Sequence, residues 1–240
     1  MSKLWVFGDS FSAPFYTDKN KKFESGEDWE TISSPFNRYL NHIRVIPKTY
    51  SELLSEDLGV ELINQSMSGG SNTTIFHTFI NSLPLIEDDD VIIFGWTQNF
   101  RFRIANDDNE LITILIGVLD LYPPKSENLS KQTLQEISLN RENFTVHYTE
   151  LIDYIKLINF VLKNNSVIHW TWVPPTKEDD FYENAYYNQL VPFKEYKSIT
   201  DETNGVIVDH HYGSKSHFEL FLDLKSQINK KLSKKIKKLI

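Results

Sequence analysis

Residues 4–12 read Leu-Trp-Val-Phe-Gly-Asp-Ser-Phe-Ser, LWVFGDSFS. The run of four apolar residues is short, aromatic or β-branched in part, and uninterrupted by polar residues, which is the pattern of a strand buried on both faces. A glycine ends the run and a serine follows two residues later. Strands of this kind belong in parallel sheets covered by helices, where reactive groups collect beyond the carboxyl ends of the strands. Ser10 falls at such an end.

Four further runs rich in apolar, β-branched or aromatic residues have the length of buried parallel strands: residues 60–64, 91–95, 167–173 and 206–208. Helical patterns lie between several of them. Residues 49–58 offer hydroxyl caps, leucine spacing and a terminating Gly59, and residues 72–83 follow a Gly-Gly turn. Residues 144–164 carry a wide apolar stripe, and residues 218–240 repeat Phe221, Leu224, Ile228, Leu232 and Ile236 at intervals of three or four. Parallel neighbours require crossovers, so the alternation predicts an α/β fold: a three-layer α/β/α sandwich on a five-stranded, flavodoxin-like parallel sheet. One domain over residues 1–240 is expected, with insertions at about 11–48 and 100–141. These insertions leave the presumed site edge, where long loops tend to be functional or disordered. Residues 18–28 and 126–135 have the composition of mobile loop.

The chain has no cysteine, which removes disulfides, thiolate nucleophiles and cysteine-held metals from consideration. Its net charge is −8, yet residues 225–240 hold seven lysines and no acid; taking those seven away leaves −15 on the rest. A body so acidic is a poor surface for nucleic acid, which needs clustered Lys and Arg. The basic end reads as a solvated helix face, with contact to an acidic partner or a membrane as the alternative. The apolar run at the N-terminus is too short for a signal peptide, and no stretch reaches membrane-spanning length. A cytoplasmic protein is therefore expected, though one carried on a virion or released by lysis would look the same. Oligomeric state is not legible.

Three distant segments supply matching chemistry. Gly8-Asp9-Ser10 brings a hydroxyl, Asn64 to Asn72 (NQSMSGGSN) a glycine-rich turn, and Asp209-His210-His211 an acid with two imidazoles. A serine, a base and an acid that orients the base are the parts of nucleophilic acyl transfer. Each piece has a plainer reading. Ser10 could cap a helix, although Ser12 offers a cap that would free it. The glycines could form a turn ahead of a helix capped by Ser71 or Asn72. The histidines could be loop residues, and a metal cluster of Asp209, His210, His211 and His217 lacks a recognised ligand spacing. His42, His77, His147 and His169 have no motif around them.

The GDS start, the NQSMSG turn and the acid–histidine end together resemble the SGNH (GDSL-type) hydrolase family, especially divergent bacterial and bacteriophage members. Phe11 stands where leucine is frequent. The resemblance spans the scaffold from end to end but only about ten motif residues. It implies Ser10 as nucleophile, His211 as base with His210 as rival, Asp209 as the orienting carboxylate, and Gly69 as a backbone oxyanion donor with Gly70 as the near alternative. The family's third motif, Gly-x-Asn-Asp, is replaced by Gly95-Trp96-Thr97-Gln98-Asn99. Thr97 occupies the expected asparagine position and Asn99 lies two residues late, so either, or Gln98, is the candidate side-chain donor. The implied activity is ester hydrolysis without metal or cofactor, acting on a small-molecule or glycan ester such as an O-acetyl group. A non-catalytic glycan- or protein-binding module of the same scaffold is the second reading. A phosphate or nucleotide binder using residues 8–12 as an anion loop is the third; it lacks the glycine signatures of such sites.

Overall fold

The first strand, β1 (Lys3–Gly8), lies in the middle of a parallel sheet, between β2 (Glu61–Asn64) and β3 (Val91–Trp96); β6 (Ser166–Thr171) adds to the far side of β3, giving the order β2-β1-β3-β6. The computed structural model describes residues 2–14, 35–97, 101–105, 111–115, 144–173, 190–191 and 194–237. Register is continuous across the centre: Gly8 pairs with Gly95, and Gly95 with Trp170. An antiparallel hairpin of β4 (Arg101–Ala105) and β5 (Leu111–Leu115) stands apart from this sheet and falls within the expected insertion at 100–141. The loop readings for 18–28 and 126–135 lie outside the described residues.

Successive side chains of a strand point to opposite faces, and the core is accordingly double. Leu4 and Val6 face one layer with Val91, Ile93, Ile168 and Trp170, covered by α2 (Tyr50–Leu58) and α6 (Ser214–Lys237). Trp5 and Phe7 face the other with Ile92, Phe94 and Val167, covered by α3 (Asn72–Ser82) and α4 (Phe144–Val161). The sandwich therefore has helices on both sides of the sheet. Several of its aromatic residues form the core: Trp5, Phe7, Phe79, Phe94, Trp96 and Trp170 are almost wholly buried, and Phe7 stacks on Phe94 at 5.2 Å between ring centres.

Local sequence accounts for the helix ends. Thr49 accepts from the Glu52 N–H while the Glu52 carboxylate accepts from the Thr49 N–H, a reciprocal cap, and Gly59 closes α2 in the left-handed conformation (φ 66°). Ser71, rather than Asn72, caps α3. Helix α6 begins four residues earlier than its apolar repeat suggests, because side chains distant in sequence satisfy its first N–H groups. Tyr39 of α1 (Pro35–Ile43) accepts from Ser214, and Glu202 of α5 (Ile199–Glu202) accepts from Ser216. Along α6, Lys225 bonds to Asp57 and Lys231 to the carbonyl of Val167, so part of the basic end is tied to its own fold.

One expected strand is corrected. Residues 206–208 form no strand, and the described sheet has four. A turn with Asn204 and Gly205 at positive φ leads into them, and the Thr203 hydroxyl accepts from the Ile207 N–H. Val206 and Val208 are 71% and 62% exposed, while Ile207 packs with Tyr39, Leu40 and Ile199. The short β-branched run thus docks on α1 and α5 through its middle residue. Among the described residues no helix is long and apolar enough to cross a membrane.

Candidate active site

Ser10 sits in a turn directly beyond β1. The Asp9 carbonyl accepts from the N–H groups of Ser12 and Ala13, and the buried Asp9 carboxylate accepts from Phe11 N–H at 3.0 Å and from the Trp172 indole at 2.9 Å. Aspartate therefore braces the serine turn on one side and the end of β6 on the other. The expectation that Ser12 caps a helix does not hold, since residues 9–13 form turns and bends. Ser12 is wholly buried instead, accepting from the Tyr50 hydroxyl at 2.9 Å. It fits between two glycines: a Cβ on Gly8 or Gly95 would come within 2.4 or 2.5 Å of its oxygen.

The second turn is sewn to the first. Asn64, at the end of β2, donates to the Ser12 carbonyl at 2.8 Å and accepts from Ser66 N–H, and Met67 N–H donates to the Gly8 carbonyl. Gly69 adopts φ 76°, a conformation open to glycine and costly to other residues. The Gly70 N–H is taken up by the Met67 carbonyl. The N–H groups of Ser10 and Gly69 have no hydrogen-bond partner among the described residues.

The third turn follows β3. Two residues beyond the paired Gly8 and Gly95 come Ser10 and Thr97. Asn72, in the first turn of α3, holds Thr97 by both main-chain groups, accepting from its N–H at 2.9 Å and donating to its carbonyl at 3.0 Å. The Thr97 hydroxyl is buried and has no hydrogen-bond partner among the described residues. Gln98 and Asn99 lie outside the described residues.

The acid–histidine segment completes the edge. His211 Nε2 lies 2.9 Å from Ser10 Oγ, and His211 Nδ1 lies 2.6 Å from Asp209 Oδ1, which also accepts from the His211 main-chain N–H at 2.9 Å. An ionised carboxylate only accepts, so this contact puts the ring proton on Nδ1 and leaves Nε2 to accept from serine. Partial burial pushes the Asp209 carboxyl upward, but the hydrogen bonds from His211 and the nearby imidazoles outweigh it and hold the group below the usual carboxylate range. The imidazole is 44% exposed and its carboxylate partner 10%. Phe11 lies beside the ring at 5.0 Å and stacks on Trp172 at 4.3 Å.

His210 is exposed and does not join this chain of bonds. His217 is buried, accepting from Tyr50 N–H, and burial, with a smaller electrostatic contribution from nearby His211, lowers its pKa to about 3. Sequence reading had no signal for Asn72, Trp172 or Thr200 as supports of the site, because their partners are 25, 163 and 9 residues away.

No family model matches the chain, and no curated protein matches it. Solved structures resemble it at low identity. A family two carbohydrate esterase from Clostridium thermocellum, in complex with cellohexaose, is 13% identical with a TM-score of 0.43, over 97% of this chain and 65% of that one. A psychrotrophic esterase from Pseudoalteromonas sp. is 14% identical with a TM-score of 0.41, over 97% and 100%. A lipase/acylhydrolase from Enterococcus faecalis is 16% identical with a TM-score of 0.39, over 96% and 97%.

Proposed function

We propose that this protein is a serine ester hydrolase of the SGNH type. The observation that carries the reading is the unbroken Ser10–His211–Asp209 hydrogen-bond chain at the carboxyl edge of a parallel sheet. Ser10 Oγ attacks an acyl carbonyl as its proton passes to His211 Nε2. The imidazolium then protonates the leaving alcohol, and the acyl group remains on Ser10 as an ester. His211 next takes a proton from water, which attacks that ester, and the acid departs as Ser10 recovers its proton. Asp209 keeps the imidazole in the tautomer this cycle needs.

The N–H groups of Ser10 and Gly69 are the primary oxyanion donors, supported by their having no other partner among the described residues. The Thr97 hydroxyl is the side-chain donor; sealed in the resting turn, it engages when that turn yields to substrate. Asn99 is the second candidate for that place. A short acyl ester, such as an O-acetyl group on a glycan, follows from the motif resemblance. A non-catalytic binding module draws support from the same sealed hydroxyl and from the missing third motif.

Hydrolysis of an aryl acetate by wild type and Ser10→Ala tests the reading: activity that vanishes in the variant is expected, and equal rates would end it. Failure of a fluorophosphonate to label Ser10, in folded protein that still binds a glycan, favours the binding module.

A further inference from the structure

Because residues 206–208 add no strand to the sheet, Asp209 and His211 lack the support that a strand end would provide. Helix α5 supplies it. The Thr200 N–H donates to the Asp209 carbonyl at 3.0 Å. The Thr200 hydroxyl donates to the same carbonyl at 2.9 Å and accepts from the Asp209 N–H at 2.8 Å. One residue earlier, Ile199 N–H donates to the His211 carbonyl at 2.8 Å, and Ser198 bridges to Tyr212.

Three successive residues thus grip the main chain on either side of the imidazole. Thr200 contributes the side chain that holds Asp209 directly. The helix is itself well anchored: Ser198 and Asp201 form a reciprocal cap, and Ile199 is wholly buried with Tyr39, Leu40 and Ile207.

We propose that Thr200 is a positioning residue for the Asp209–His211 pair, an inference that rests on the triad reading above. Its hydroxyl sets the Asp209 main chain so that a single carboxylate oxygen, Oδ1, meets both the N–H and the Nδ1 of His211. Removing that hydroxyl orphans the Asp209 N–H and weakens the hold on its carbonyl. The carboxylate then turns away and the imidazole loses the partner that selects its tautomer. Serine in place of threonine keeps the donor and the acceptor.

The test reads the His211 ring without substrate, through the nitrogen-15 shifts of its two ring nitrogens in wild type, Thr200→Ser and Thr200→Val, assigned with His211→Asn. Wild type and Thr200→Ser are expected to carry the proton on Nδ1, and Thr200→Val to shift toward the Nε2–H form. In parallel, kcat on an aryl acetate is expected to fall between about tenfold and a hundredfold in Thr200→Val with KM unchanged, and to recover in Thr200→Ser. An unaltered Nδ1–H tautomer in Thr200→Val overturns the proposal, as does a wild type protonated on Nε2. Should Thr200→Val fail to fold, Thr200→Ala is read in the same way. A chain that hydrolyses no ester defeats the proposed function yet still returns the tautomer, so the two failures are distinguishable.

Discussion

The imidazole of His211 and the hydroxyl of Ser10 meet at 2.9 Å although 201 residues separate them in the chain. Four independent ties bring them there. The Gly8–Gly95 register sets the height of the serine turn, and the Asp9 carboxylate clasps that turn to Trp172 beyond β6. Asn64 binds the β2 turn to Ser12, and α5 holds the histidine loop from behind. Each tie uses polar groups that burial would otherwise leave unsatisfied, so losing one costs more than the net worth of an ordinary hydrogen bond.

Asp209→Asn separates orientation from mere presence. The amide can donate where the carboxylate only accepts, so it no longer enforces an Nδ1–H imidazole. A fall in kcat on the order of 10⁴ is expected with the fold retained. Stability should respond to acid as well. The folded carboxyl lies below its ordinary range, so its contribution is present above the unfolded pKa and is lost as pH falls through the folded value. Urea midpoints of wild type and variant should therefore converge at acid pH; a gap that widens there refutes the assignment.

Thr97→Val asks whether a buried orphan has a chemical purpose. The hydroxyl has no partner among the described residues, and replacing it with a methyl of similar size removes an unsatisfied group; stability should rise by about 1 kcal/mol. If the hydroxyl serves the oxyanion, kcat should drop by 10²-fold or more, on the order seen for loss of one such donor. Denaturation and steady-state kinetics on the same variant give both numbers. Unchanged kcat would remove Thr97 from the oxyanion set and leave that place to Asn99.

Two buried histidines predict a pH-dependent stability. Burial holds His169 and His217 at about 3, against 6.5 when unfolded. Between those values the unfolded chain binds more protons, so stability should fall as pH drops from about 6.5 toward 3. His169 Nδ1 accepts from the Trp96 indole and its Nε2 faces the side-chain amide oxygen of Asn159, an arrangement suited to the neutral ring. His169→Gln should lower the urea midpoint at neutral pH and flatten its decline on acidification. A decline as steep in the variant as in wild type would clear His169 of responsibility.

Local sequence was sufficient wherever the physics is local. The capping pair Thr49 and Glu52, the Gly59 stop and the largely apolar runs of β1, β3 and β6 each state their structure within a few residues, since caps and strand burial depend on near neighbours and composition. Residues 206–208 misled because three β-branched or apolar residues suit a strand, yet their fate was settled by Thr203, Asn204 and Gly205 turning the chain and by Ile207 finding α1. Nothing in a run so short distinguishes the two outcomes.

For the candidate site the division is similar. Residue chemistry and order nominated Ser10, Asp209 and His211 and left His210 as a rival; the bond lengths put His211 into contact with both of the others and leave His210 exposed. The supports could not be foreseen. Asn72 reads as a helix cap until Thr97 is beside it, and Thr200 reads as an ordinary helix residue until Asp209 folds back onto it. A side chain's identity limits which bonds it can form, but which partner it meets depends on chain closure over tens to hundreds of residues. That is a property of the packed sheet and helices together, and no window along the polypeptide contains it.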